Sequence, residues 1–128
     1  MKRDMDFVRQ ILLAVERSEH DPRGWMREGV EGIDATTLSY HVQLLAEAGF
    51  LVAQDLQHLG AEGYVFRPKR LTWAGHEFLD DVRDPEVWRR TKEGAQSVGS
   101  FSLDVLAALA KGFIKKRIKD TTGIDVDI

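Results

Sequence analysis

The chain has 128 residues, 43% of them hydrophobic, with 18 lysines and arginines against 21 aspartates and glutamates. That size fits one domain, or one domain with a helical extension, around a small core. A net charge of −3 and the absence of cysteine exclude a molecule that seeks polyanions through its overall charge, a disulfide scaffold and a thiolate zinc site.

Met1-Lys2-Arg3-Asp4-Met5-Asp6 lacks the uninterrupted apolar run of a signal peptide. No window approaches the ~18 apolar residues of a membrane span. A cytoplasmic protein without membrane contact is the expectation.

A first helix is predicted from about Asp4 to Ser18. Phe7, Val8, Ile11, Leu12 and Val15 form its apolar stripe, and Asp4 and Asp6 suit its N-terminal dipole. Residues 24–32 hold three glycines, which argue against a full helix. A short strand or irregular arm is expected there, with Trp25, Met26 and Val30 packed inward.

The second helix carries complete punctuation. Asp34 is a good N-cap, and Ile33 and Leu38 are placed for a hydrophobic staple. Leu38, Val42, Leu45 and Ala48 form the expected buried stripe. Gly49 stands where a left-handed residue closes a helix, with Phe50 folding back on Leu45.

A hairpin follows: a strand from Phe50 to Leu56, a turn within His58 to Gly63, and a return strand from Tyr64 to Leu71. Pro68 places that strand at an edge or a bulge. Thr72 caps a third helix to about Arg83, with Phe78, Leu79 and Val82 inward. Asp84-Pro85-Glu86 starts a fourth helix, to about Gln96. A fifth runs from Ser102 to about Lys119, with a wide apolar face of Leu103, Leu106, Leu109, Ala110, Phe113 and Ile114. The fold class is therefore mainly α with a small β wing (α+β). The expected organisation is a winged-helix domain over residues 1–83 and a C-terminal helical extension over 84–128.

Two resemblances follow from these motifs. Ser39-Tyr40-His41-Val42-Gln43-Leu44-Leu45-Ala46-Glu47-Ala48-Gly49-Phe50-Leu51, together with Leu71-Thr72-Trp73-Ala74-Gly75, resembles the recognition helix and post-wing segment of bacterial winged helix-turn-helix regulators. The whole chain resembles the bacterial and phage domain-of-unknown-function family 2513. The matching segments are the start Met1 to Asp6, Tyr40-His41-Val42-Gln43-Leu44-Leu45, and Leu71-Thr72-Trp73-Ala74-Gly75-His76-Glu77-Phe78-Leu79-Asp80. The first resemblance implies a winged helix. The second implies a bacterial or prophage origin and no known cofactor, and it carries no functional residue.

If the second helix enters a DNA groove, Thr36, Thr37, Ser39, Tyr40 and Gln43 are the residues expected to meet it. Arg67, Lys69 and Arg70 on the return strand are expected to hold phosphates. Against this, the stretch from Glu28 to Phe66 contains six acids and no lysine or arginine. Lys111, Lys115, Lys116, Arg117 and Lys119 form a second candidate basic patch, alternatively a solvated helix face. The wide apolar face of the last helix suggests a homodimer with two half-sites. The expected function is a small DNA-binding transcriptional regulator. The alternative is a non-catalytic interaction module, such as a phage protein that binds a host factor.

The four histidines, His20, His41, His58 and His76, are scattered, and His76-Glu77 lacks the second histidine of a zinc-protease helix. No metal site and no cofactor are expected. Glu77, Asp80, Asp81 and Asp84 cluster, but they read as a solvated surface interspersed with Arg83. Without a phosphate-cradling loop or an activated nucleophile, no catalysis is expected. Trp25, Trp73 and Trp88 read as core or helix-packing residues.

Overall fold

The computed structural model describes residues 1–57 and 63–128. The turn expected within His58 to Gly63, with His58 itself, lies outside the described residues as far as residue 62. The described chain contains five helices and one two-stranded antiparallel sheet. It separates into two compact units, Met1–Leu79 and Asp80–Ile128, and the division falls inside the third helix rather than after residue 83.

In the first unit, helix α1 spans Met5–Arg17. The Asp4 carboxylate caps it by accepting the N–H groups of Asp6 at 2.9 Å and Phe7 at 3.2 Å. Met5, Val8, Ile11, Leu12 and Val15 fall on one face at helical spacing and are buried. The segment that follows, residues 19–34, forms neither helix nor strand. It is tethered at Met26, whose N–H donates to the Pro68 carbonyl at 2.8 Å and whose side chain is buried. Trp25 and Val30 are half-buried.

Helix α2 spans Ala35–Glu47. The Asp34 carboxylate accepts the Thr37 N–H at 3.1 Å and the Thr37 hydroxyl at 2.7 Å. Ile33, Leu38, Val42 and Leu45 are buried, whereas Ala48, expected in the same stripe, is exposed. Ala48 is the C-cap, where the helical path ends and the buried face turns away. Gly49 then takes φ 79°, a left-handed conformation that costs glycine nothing. This lets the Phe50 N–H reach the Leu45 carbonyl at 2.9 Å and the Gly49 N–H reach that of Ala46 at 3.0 Å. These two bonds are a Schellman ending.

Strand β1, Leu51–Asp55, pairs with β2, Phe66–Leu71. Leu51 faces Leu71 and Val52 faces Arg70, but Ala53 faces Pro68, so Lys69 is the extra residue of a bulge. Proline has no N–H to give to the ladder, and the bulge sits beside it. Helix α3, Trp73–Val82, follows at once. The Thr72 hydroxyl accepts the Gly75 N–H at 3.1 Å and donates to the Gly49 carbonyl at 2.5 Å. Phe78 is buried and stacks on Phe50 with ring centroids 5.0 Å apart. Trp73 departs from expectation, being 81% exposed. As the first residue of α3 it points outward, and its indole N–H donates to Glu77 Oε1 at 3.0 Å.

In the second unit, helix α4 spans Pro85–Val98, two residues beyond the expected Gln96. The Asp84 carboxylate accepts the N–H groups of Glu86 at 2.9 Å and Val87 at 3.0 Å. Val87, Trp88, Thr91 and Ala95 are buried. Helix α5 spans Leu103–Thr122, capped by Ser102 and ending three residues beyond the expected Lys119. Of its apolar face, Leu106 and Ala110 are buried, while Leu103, Leu109, Phe113 and Ile114 are half-buried. Gly94 of α4 gives Leu109 room, since a Cβ there would lie 3.2 Å from both leucine methyls.

Candidate nucleic-acid interface

The outward face of α2 repeats at 36, 40 and 43, the three- and four-residue steps that share one side of a helix. Thr36 is exposed, and Tyr40 and Gln43 are half-buried. Thr37 is half-buried and its hydroxyl is engaged by the Asp34 cap. Hydrogen bonds to that hydroxyl and the Thr37 N–H hold the Asp34 carboxyl below the usual carboxylate range.

Ser39 does not join this face. It is 4% exposed, and its Oγ accepts the Phe66 N–H at 3.2 Å. The expectation that Ser39 points outward is corrected by β2, whose first residue folds over it. A neighbour so far along the chain leaves no mark on the helical periodicity of α2.

The hairpin is joined to α2 at a second point. The Tyr64 hydroxyl donates to Gln43 Oε1. Burial, then the charges of Tyr40, Glu47 and Asp55, push the Tyr64 phenol above its ordinary value. It therefore remains a neutral donor near pH 7. Tyr64 also meets Phe66 edge-on, with ring centroids 5.5 Å apart. Helix and hairpin thus form one continuous surface along Thr36, Tyr40, Gln43 and Tyr64.

Among the strand cations, Arg70 is exposed, with Nη1 donating to the Leu71 carbonyl at 3.2 Å. Lys69 is half-buried at the bulge, and its carbonyl lies 2.6 Å from His20 Nε2. Arg67 reaches the arm, where its Nη1 donates to the Arg27 carbonyl at 3.1 Å. Arg27 is a cation that sequence reasoning missed. It stands just outside the cation-free stretch and reaches Arg67 only because the arm returns to β2. Its guanidinium lies over the Trp25 ring, 5.6 Å from the centroid, and that two-residue spacing is the only local signal.

The candidate basic patch on α5 is largely neutralised. Lys111 pairs with Asp81 at 2.6 Å, Arg117 with Asp84 at 2.7 Å and Lys119 with Asp125 at 2.7 Å. Lys115 and Lys116 are exposed, without an ion pair among the described residues. The acids expected to cluster are engaged one by one: Glu77 by Trp73, Asp80 by Arg83, Asp81 by Lys111 and Asp84 by Arg117.

His41 is wholly buried, with Nδ1 2.9 Å from the Thr37 carbonyl. His20 lies 2.6 Å from Ser18 Oγ, and His76 lies 3.9 Å from Glu16. Among the described residues, no three metal-ligating side chains converge and no helix is long and apolar enough to cross a membrane.

The family described as "Hypothetical protein (DUF2513)" matches residues 2–102. The chain belongs to this family. A relative from Haemophilus influenzae, described as "Uncharacterized protein", is 38% identical over 120 residues, covering 92% of this chain and 99% of the relative. No solved structure matches. The segment matched by DUF2513 includes Arg27, the whole of α2 and the hairpin strands, and it ends where α5 begins.

Proposed function

We propose that this DUF2513 protein is a non-catalytic winged helix that binds double-stranded DNA as a transcriptional regulator. The element order supports the fold assignment: α1, an arm bonded to β2 through Met26, then α2, β1, β2 and α3. The observation that carries the reading is the double tie of α2 to the hairpin, Tyr64 to Gln43 and Phe66 to Ser39. It fixes a helix face of hydroxyl and amide groups beside a strand bearing Arg67 and Arg70. Such groups read base edges, while guanidinium groups hold phosphates. Two copies joined through α5 supply two half-sites, and the half-buried Leu103, Phe113 and Ile114 supply the apolar surface.

The test is duplex binding by fluorescence anisotropy across a salt series. Binding is expected to weaken with salt. Replacing both Arg67 and Arg70 by alanine is expected to reduce the log–log salt slope by about 2. A wild-type protein with no salt-sensitive duplex binding overturns the proposal.

A second reading is favoured by one observation: α2 carries no lysine or arginine, and Glu47 and Asp55 lie close enough to act on Tyr64. On that reading the same face meets a protein, such as a host factor during phage infection. The wild-type chain then binds no duplex and instead retains a partner protein in a pull-down.

A further inference from the structure

We propose that the arm, α2 and β2 together form a binding site for a small monocarboxylate with an apolar body. The three elements line a cavity of about 190 Å³. An apolar cavity of about 150 Å³ accommodates benzene, so this one has room for a ring or a branched chain of similar size. Ile33, Leu38 and Phe66 supply apolar wall, while Arg67 supplies a cation. They come from three separate elements, and no run of sequence places them together.

Two features select a carboxylate over a neutral apolar occupant. Ser39 lines the cavity at 4% exposure, and its oxygen already accepts the Phe66 N–H. A hydroxyl that accepts one bond still has its own proton to donate. A carboxylate oxygen in the cavity accepts it. Arg67 is held beside the cavity by a single bond from Nη1 to the Arg27 carbonyl. That bond uses one of five guanidinium donors, and the planar fork suits a carboxylate. Inorganic phosphate would satisfy the same donors and leave the apolar wall uncovered. The site stands whether or not α2 meets DNA.

The experiment is amide NMR of the full chain titrated with benzoate, benzyl alcohol and inorganic phosphate. Benzoate is expected to shift the Ser39, Phe66 and Arg67 signals saturably, with a Kd on the order of 1 mM. Benzyl alcohol and phosphate should each bind about tenfold more weakly or worse, because each lacks one half of the recognition. Arg67→Gln, a change at a partly exposed position, should weaken benzoate about tenfold while the spectrum stays folded. Ser39→Ala should weaken it less, and the Arg67 variant keeps the test valid if the serine variant misfolds. Absence of a saturable benzoate shift overturns the proposal. So does equal binding of benzyl alcohol or of phosphate, or an unchanged benzoate affinity in a folded Arg67→Gln.

Discussion

His41 accepts the backbone N–H of Asp4 on its Nε2 at 2.8 Å, tying the start of α1 to the middle of α2 across 37 residues. The N-cap N–H of a helix is often satisfied by a glutamate or glutamine three residues on. Here that position is Phe7, which cannot accept, and its ring instead meets His41 edge-on at 5.6 Å. The imidazole substitutes for the missing side chain. His41→Ala removes the acceptor and leaves a cavity, and is expected to destabilise the first unit by about 3 kcal/mol. Urea unfolding followed by circular dichroism measures it, and a loss under about 1 kcal/mol would show that the tie is incidental.

Gly75 permits a close backbone approach in the first unit. A Cβ at this position would lie 1.9 Å from the Phe50 carbonyl oxygen, so α3 and the entry to β1 would have to part. Gly75→Ala is expected to cost about 3 kcal/mol, the upper range for overpacking, although alanine is the better helix former. Thermal unfolding decides the sign, and a stabilised variant would contradict the close approach.

Thr91 is wholly buried, and its hydroxyl oxygen has no hydrogen-bond partner among the described residues. Removing a buried, unpaired polar atom without changing shape is favourable. Thr91→Val is therefore expected to stabilise the second unit by about 1 kcal/mol. Slower amide exchange in α4 is the readout, and faster exchange would point to an ordered water on the hydroxyl.

Asp84 should give the second unit an acid-sensitive joint. The Arg117 guanidinium, then the backbone N–H of Val87, hold its carboxyl down at about 2 from an ordinary 3.8. A depressed carboxyl adds stability that is complete above its unfolded value. That contribution fades as pH falls from about 3.8 towards about 2. Asp84→Asn keeps a cap oxygen for α4 but loses the charge facing Arg117, so its α4 exchange rates should change less over the same range. An identical acid response in the variant would place the sensitivity elsewhere, with Glu86 between Arg89 and Arg90 the next carboxylate to test.

Local chemistry made much of this architecture legible. Asp4, Asp34, Asp84 and Ser102 each cap the helix predicted from them, because a cap involves only the next three residues. Pro68 likewise marked the irregular strand. What failed depended on distant neighbours. Ser39 sits between outward-facing positions in the helical pattern, yet it is buried and accepts the Phe66 N–H. Trp73 carried the expectation attached to any large aromatic, yet it opens α3 on the solvent side. The α5 cations read as a patch because Asp81 and Asp84 stand some thirty positions away. Arg27 gave no warning beyond its spacing from Trp25, because its place beside Arg67 depends on the arm returning to β2.

The bulge at Lys69 bears on self-association. A sheet of only two strands has two open rims along which further chains can stack. On β2, Pro68 has no hydrogen to offer and its carbonyl is occupied by Met26, while the Lys69 carbonyl meets His20. The middle of that rim is closed to a strand from another molecule, which lets so small a sheet stay finite in a crowded solution and keeps fibre growth from starting there.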